Sequence, residues 1–109
     1  MRRRWMVYPG IDRDDELREA LKEIGVTTDD VVRTLIRSGC RGHRDDCTSC
    51  PVGVYLTRKG WKGVLVMAVG VSARKGGELH VARLPDAVAD FITRFDRGAW
   101  PELSVPVGD

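Results

Sequence analysis

The 109-residue chain is poor in the residues that most often announce chemistry. It has two histidines, three cysteines and seven aromatic residues. An odd and small number of cysteines argues against a disulfide framework of the kind that staples secreted domains. The longest apolar run, Val64 to Val69, is six residues, far below the ~20 needed to cross a bilayer. The opening "MRRRWMVYPG" has a basic end but few apolar residues before Pro9 and Gly10, so a secretory signal is not expected. These absences place the protein, by expectation, in the cytoplasm with reduced thiols and no membrane partner. Two further lacks matter. No glycine-rich loop has the spacing that cradles a phosphate, because "RKGWKG" and "RKGGE" both read as turns. No pair of carboxylates stands out as an acid–base couple, and the net charge of +2 is too small to announce a polyanion partner.

What remains is a composition of 42% apolar and 31% charged residues, that of a globular chain. Its length fits one small domain over residues 1–109. Residues 12–25 read as a helix, with Leu17, Ala20, Leu21 and Ile24 on one stripe and Gly25 as a stop. A second helix over 27–38 takes Thr27 or Thr28 as its cap and buries Val31, Val32, Leu35 and Ile36. The two make a helical hairpin. Pro51 opens a short third helix, weakened by Gly53. "WKGVLVMAVGV" reads as a strand covered on both faces, and "ELHVARL" returns from the turn "ARKGGE" to make a β-hairpin. A third strand from a terminus, "RRWMVY" or "ELSVPV", would stabilise that hairpin. "LPDAVADFITRFDRG" is an amphipathic helix ended by Gly98. The class is therefore α+β, with residues 1–11 an N-terminal arm or edge strand and 99–109 a tail.

The chemistry concentrates in "GCRGHRDDCTSC", residues 39–50, which holds every cysteine and one histidine. Cys40, His43, Cys47 and Cys50 have a C-x2-H-x3-C-x2-C spacing, and thiolate with imidazole is the usual donor set of tetrahedral zinc. Asp45 and Asp46 could orient the imidazole, His80 could replace one ligand, and an iron–sulfur cluster is a rarer occupant. Ranged against zinc is crowding, since only three residues separate the two half-sites. The bland reading makes Cys50 a small buried hydrophobe and leaves the others as loop residues; it stands ahead of zinc. Cys47-Thr-Ser-Cys50 also reads as a redox pair, and a thiol nucleophile served by His43 or His80 defines a cysteine-enzyme alternative.

Arginine supplies fourteen of the eighteen basic residues. Arg33, Arg37, Arg41 and Arg44, joined by Arg2, Arg3 and Arg4, could form a basic patch for nucleic acid centred on helix 27–38. Asp29 and Asp30 at the start of that helix would repel a phosphate backbone, so a solvated face is favoured. Trp5, Trp61 and Trp100 are the remaining contact candidates, tryptophan being enriched at binding hot spots, or else they close the core.

"CPVGVYL" (50–56) followed by "LPDAVADFITRFDRG" (84–98) resembles a pattern in short uncharacterised proteins of actinobacteria and their phages. The resemblance spans Gly39 to Gly98 and includes a final helix ending Phe-Asp-x-Gly. It implies a phage or mobile-element source and carries over no active-site residue. Gly53 stands where the pattern has alanine, and Cys40, His43 and Cys47 are not part of it. The expected role is a small non-enzymatic binding or regulatory protein acting through protein contacts, with or without stabilising zinc. A nucleic-acid-binding regulator and a thiol enzyme are the alternatives.

Overall fold

The computed structural model describes residues 9–67 and 70–105, with side chains from Glu16 onward. Four helices and three strands follow in the order α1 (Pro9–Lys22), α2 (Thr28–Ser38), α3 (Pro51–Arg58), β1 (Lys62–Val66), β2 (Gly70–Lys75), β3 (Glu78–Arg83) and α4 (Asp86–Asp96). A 3-10 turn, Pro101–Leu103, closes the tail. The α+β class and the amphipathic last helix stand, while the first two helices, expected as a hairpin, pack chiefly on β3 and on α4 respectively. Helix α1 begins at Pro9 rather than Asp12, so it takes in the end of the expected arm. "RRWMVY", with Arg2 to Arg4 and Trp5, lies outside the described residues.

Local chemistry accounts for the helix ends. The Thr27 hydroxyl accepts from the Asp30 N–H at 3.1 Å, and Gly39, at φ 67°, turns the chain out of α2. Helix α3 starts on Pro51 and tolerates Gly53, which is buried close to Thr48 and Val66.

The sheet is antiparallel in the order β1-β2-β3. Its third strand does not come from a terminus among the described residues. The apolar stretch 61–71 is instead divided: β1 ends at Val66, and β2 begins at Gly70. Met67 and Gly70 already face each other there, the Met67 N–H donating to the Gly70 carbonyl at 2.8 Å. A run that reads as one strand is thus divided between two antiparallel strands. Of "ELSVPV", only Ser104 makes a bridge, parallel to Gly42.

One face of the sheet carries the core. Val64 and Val66, Val71 and Ala73, and His80 and Ala82 point inward from the three strands and are buried. Helix α1 packs on β3 and α3 on β1, while α2 lies against α4. Leu17 and Leu21 of α1 and Ile24 just after it join Val31, Val32 and Leu35 of α2 and Phe91, Ile92 and Phe95 of α4 in one continuous apolar cluster. Ile36, expected in the buried face of α2, is instead 47% exposed.

Among the described residues nothing covers the opposite face, contrary to the expectation of a strand covered on both sides. Leu65, Ser72 and Val81 form one cross-strand row, and Lys62, Arg74 and Leu79 the next. A bulge between Lys62 and Leu65, with Gly63 at φ 57°, absorbs one extra residue and keeps both on this side. Gly70 pairs with Arg83 at the far end, beside Met67. Leu65 is 37% exposed, Met67 55%, Leu79 50% and Val81 51%.

Candidate functional site

Residues 39–50 leave α2 and return to α3 by way of three anchors. The first is the tail: the Gly42 N–H donates to the Leu103 carbonyl, and the Gly42 carbonyl accepts from the Val105 N–H, both at 2.9 Å. The second is the end of α4. Arg44 Nε donates to the Phe95 carbonyl at 2.9 Å, Nη2 to the Gly98 carbonyl at 3.2 Å and Nη1 to the Ser104 hydroxyl at 3.1 Å. Its guanidinium also lies over the Phe95 ring. The Asp45 N–H donates to the Asp96 carboxylate at 2.9 Å. The third is β1, whose Val66 N–H donates to the Cys47 carbonyl at 2.7 Å.

A planar fork with a fixed charge suits the C-terminal carbonyls of a helix, where donors are scarce and the dipole is negative. The chain uses this twice. Arg58 of α3 donates to the Ser38 carbonyl at the end of α2 at 2.6 Å, as Arg44 does at the end of α4. Replacing Arg44 by alanine removes three charge-assisted bonds and is expected to cost about 2 kcal/mol in urea denaturation. Arg44→Lys should recover less than half, because one ammonium cannot span three divergent acceptors.

The four ligand-type residues do not converge. Among the described residues no group of three or more His, Cys, Asp or Glu side chains is placed to hold a metal ion. The tetrahedral set expected from the spacing is therefore not assembled, and the reason lies in where each side chain is spent. Cys40 is buried at the α2 terminus, its sulfur 3.7 Å from an Arg58 Nη1 and 3.9 Å from the Ser38 carbonyl. Cys50 is buried at the start of α3, Cys47 is exposed, and His43 is half-buried.

Burial pushes the Cys50 thiol up, outweighing the Val52 and Gly53 N–H groups that favour its thiolate. Burial likewise raises Cys40, against the opposing pull of Arg58. Both stay protonated at neutral pH, the reverse of an activated nucleophile. Cys47 and Cys50 line one cavity of about 240 Å³ with Asp45, Asp46 and Asp96, and neither histidine borders it. A thiol-specific reagent should accordingly label one cysteine quickly, Cys47, and the other two only on unfolding. Fast labelling of Cys50 would contradict this placement.

Asp46 organises the turn before α3. One carboxylate oxygen accepts from the Thr48 N–H at 2.9 Å, the Thr48 hydroxyl at 2.7 Å and the Ser49 N–H at 3.2 Å. These bonds, the Thr48 hydroxyl foremost, hold its carboxyl down to about 2. A folded value below the unfolded one, about 3.9, gives stability that is whole above about pH 4. It is lost as pH falls towards the folded value of about 2. Acid titration of Asp46→Asn should show a shallower loss than the parent across that window.

The remaining contact candidates divide. Trp61 is 1% exposed and meets His80 edge-on, ring centroids 4.9 Å apart, so it is core and not a contact side chain. Trp100 is partly buried and stacks on Phe91 at 5.1 Å. Arg41 and Arg44 are engaged with the chain's own tail and α4, Arg41 Nη2 donating to the Ser104 carbonyl at 3.0 Å. Arg33 pairs with Asp30 at 3.4 Å on the surface, and Arg37 is exposed. The expected basic patch is thus reduced on its described side to Arg33 and Arg37.

The surface that spacing and motif reasoning missed is the open face of the sheet. Its signal was the alternation in "ELHVAR", which sets Leu79 and Val81 on one face and His80 on the other; the fold exposes the first two and buries His80. No family model, curated protein or solved structure matches the chain. No helix among the described residues is long and apolar enough to cross a membrane.

Proposed function

We propose that this is a non-enzymatic binding protein of regulatory type that acts through protein contacts on the open face of its sheet. The observation that carries the reading is the large apolar side chains Leu65, Leu79 and Val81 on one exposed face, with exposed Met67 paired to Gly70 just past the end of β1. Scattered surface leucines need no explanation, but apolar side chains gathered on one sheet face are the ordinary mark of a contact surface. The raised thiols and the dispersed ligand-type residues remove the support that the enzyme and zinc alternatives drew from spacing. The resemblance to short actinobacterial and phage proteins is what suggests a phage or mobile-element protein. Duplex DNA binding by α2 is the weaker reading, since Arg33 already faces Asp30.

A photo-reactive phenylalanine analogue placed at Leu79, and separately at Ile36 on α2, tests the reading in cells producing the protein. One discrete adduct with another protein from position 79, absent from position 36, is the expected result. No adduct at 79, or equal adducts at both, would overturn it.

A further inference from the structure

The open face has a shape and a charge that narrow its partner. Its middle strand presents Gly70, Ser72 and Arg74: Ser72 stands between Leu65 and Val81, Gly70 between Met67, just past the end of β1, and Arg83, and Arg74 between Lys62 and Leu79. Leu65 and Val81 sit on strands two apart, so the shallow trough over Gly70 and Ser72 is about 10 Å wide. A helix is about 10 Å across, and strands of five and six residues give it a bed of roughly 18 Å, some three turns.

The charge is one-sided. Lys62 and Arg74 stand at one end of the trough and Arg83 at the other, all exposed. None of the nine outer-face positions on the three strands and Met67 is acidic. A second copy of the chain docked face to face would oppose these cations to their own kind, a repulsive pairing. Single-stranded nucleic acid prefers aromatic stacking platforms, and among the described residues this face presents no aromatic side chain. A membrane-facing surface would also be expected to carry interfacial tryptophan or tyrosine.

We infer that the open sheet face binds an acidic amphipathic helix of a partner protein. Leucine-type side chains of that helix would fill the Gly70–Ser72 trough, and its carboxylates would meet Lys62, Arg74 and Arg83. This inference rests on the reading of the face as a docking surface, and adds the chemistry of the occupant.

The probe is a stapled amphipathic peptide of about 14 residues, with leucines on one stripe and glutamates elsewhere, titrated into isotope-labelled protein. It should move the amide resonances of residues 65–67, 70–74 and 79–83. Its affinity should fall about tenfold from low to high salt, and at least about tenfold in Arg74→Glu and Arg83→Glu. Arg83→Gln, a milder change, should show an intermediate loss and guards against misfolding of the charge-reversed forms. A peptide that moves none of these resonances, or binds the charge-reversed forms equally well, overturns the inference. So does binding to phosphatidylserine vesicles or to a single-stranded oligonucleotide in its stead. If the peptide fails while the adduct at position 79 forms, the acidic-helix inference falls and the docking reading survives. If both fail, the docking reading falls too.

Discussion

Trp61→Ala is expected to destabilise the protein by about 4 kcal/mol, close to the full stability of many small domains. Trp61 is 1% exposed at the junction of α3 and β1, and its backbone N–H donates to the Leu56 carbonyl in the last turn of the helix. Its indole lies edge-on to His80, which is itself 2% exposed, while Lys75 Nζ sits 4.8 Å above the ring. Truncation leaves a large void beside a buried polar ring, and the neighbouring backbone is tied on both sides. Trp61→Phe should retain an aromatic edge against His80 and cost about half as much. Urea denaturation separates this from a contact role. A contact tryptophan would lose binding with stability unchanged; here stability goes first.

Gly42→Ala is the second large effect, about 3 kcal/mol by thermal or urea denaturation. A Cβ on Gly42 would meet the Ser49 carbonyl oxygen, the Cys50 carbonyl carbon and the Pro51 nitrogen, the last two at 2.6 Å. All three are backbone atoms of the returning strap, so no rotamer change makes room. Any shift also strains the Leu103 and Val105 hydrogen bonds on the other side of Gly42. The expected loss is therefore of the whole attachment between strap and tail. Gly53→Ala provides the contrast. Its Cβ would come no closer than 3.4 Å to the Thr48 carbonyl oxygen, and alanine favours the helix, so stability should hold or rise by up to about 1 kcal/mol. Equal losses at the two positions would contradict the close-approach account.

Helix positions were legible because their signals are local. Thr27, Gly39, Pro51 and the stripe Val88, Phe91, Ile92, Phe95 each act within a turn or two of the chain. The division of 61–71 was not legible, because an apolar run of strand-formers looks the same whether or not it reverses at Met67. The facing of β3 was likewise hidden. Which of Leu79 and His80 faces the core depends on the register with Arg74 and Ala73, and that register is set by tertiary packing. The cysteine loop shows the same limit from the other side. Spacing brought four donors close in sequence, but the strap spends two thiols on buried helix ends and leaves Cys47 outside. Arg44 had a legible charge, though its partners are fifty and more residues away.

The central claim is that one face of the sheet builds the core and the other is kept for a partner. Unfolding free energy of a Met67→Ser, Leu79→Ser double variant tests it most directly. The account predicts stability within about 1 kcal/mol of the parent. A loss approaching that of Trp61→Ala would show that the outer face belongs to the core, and would contradict the account.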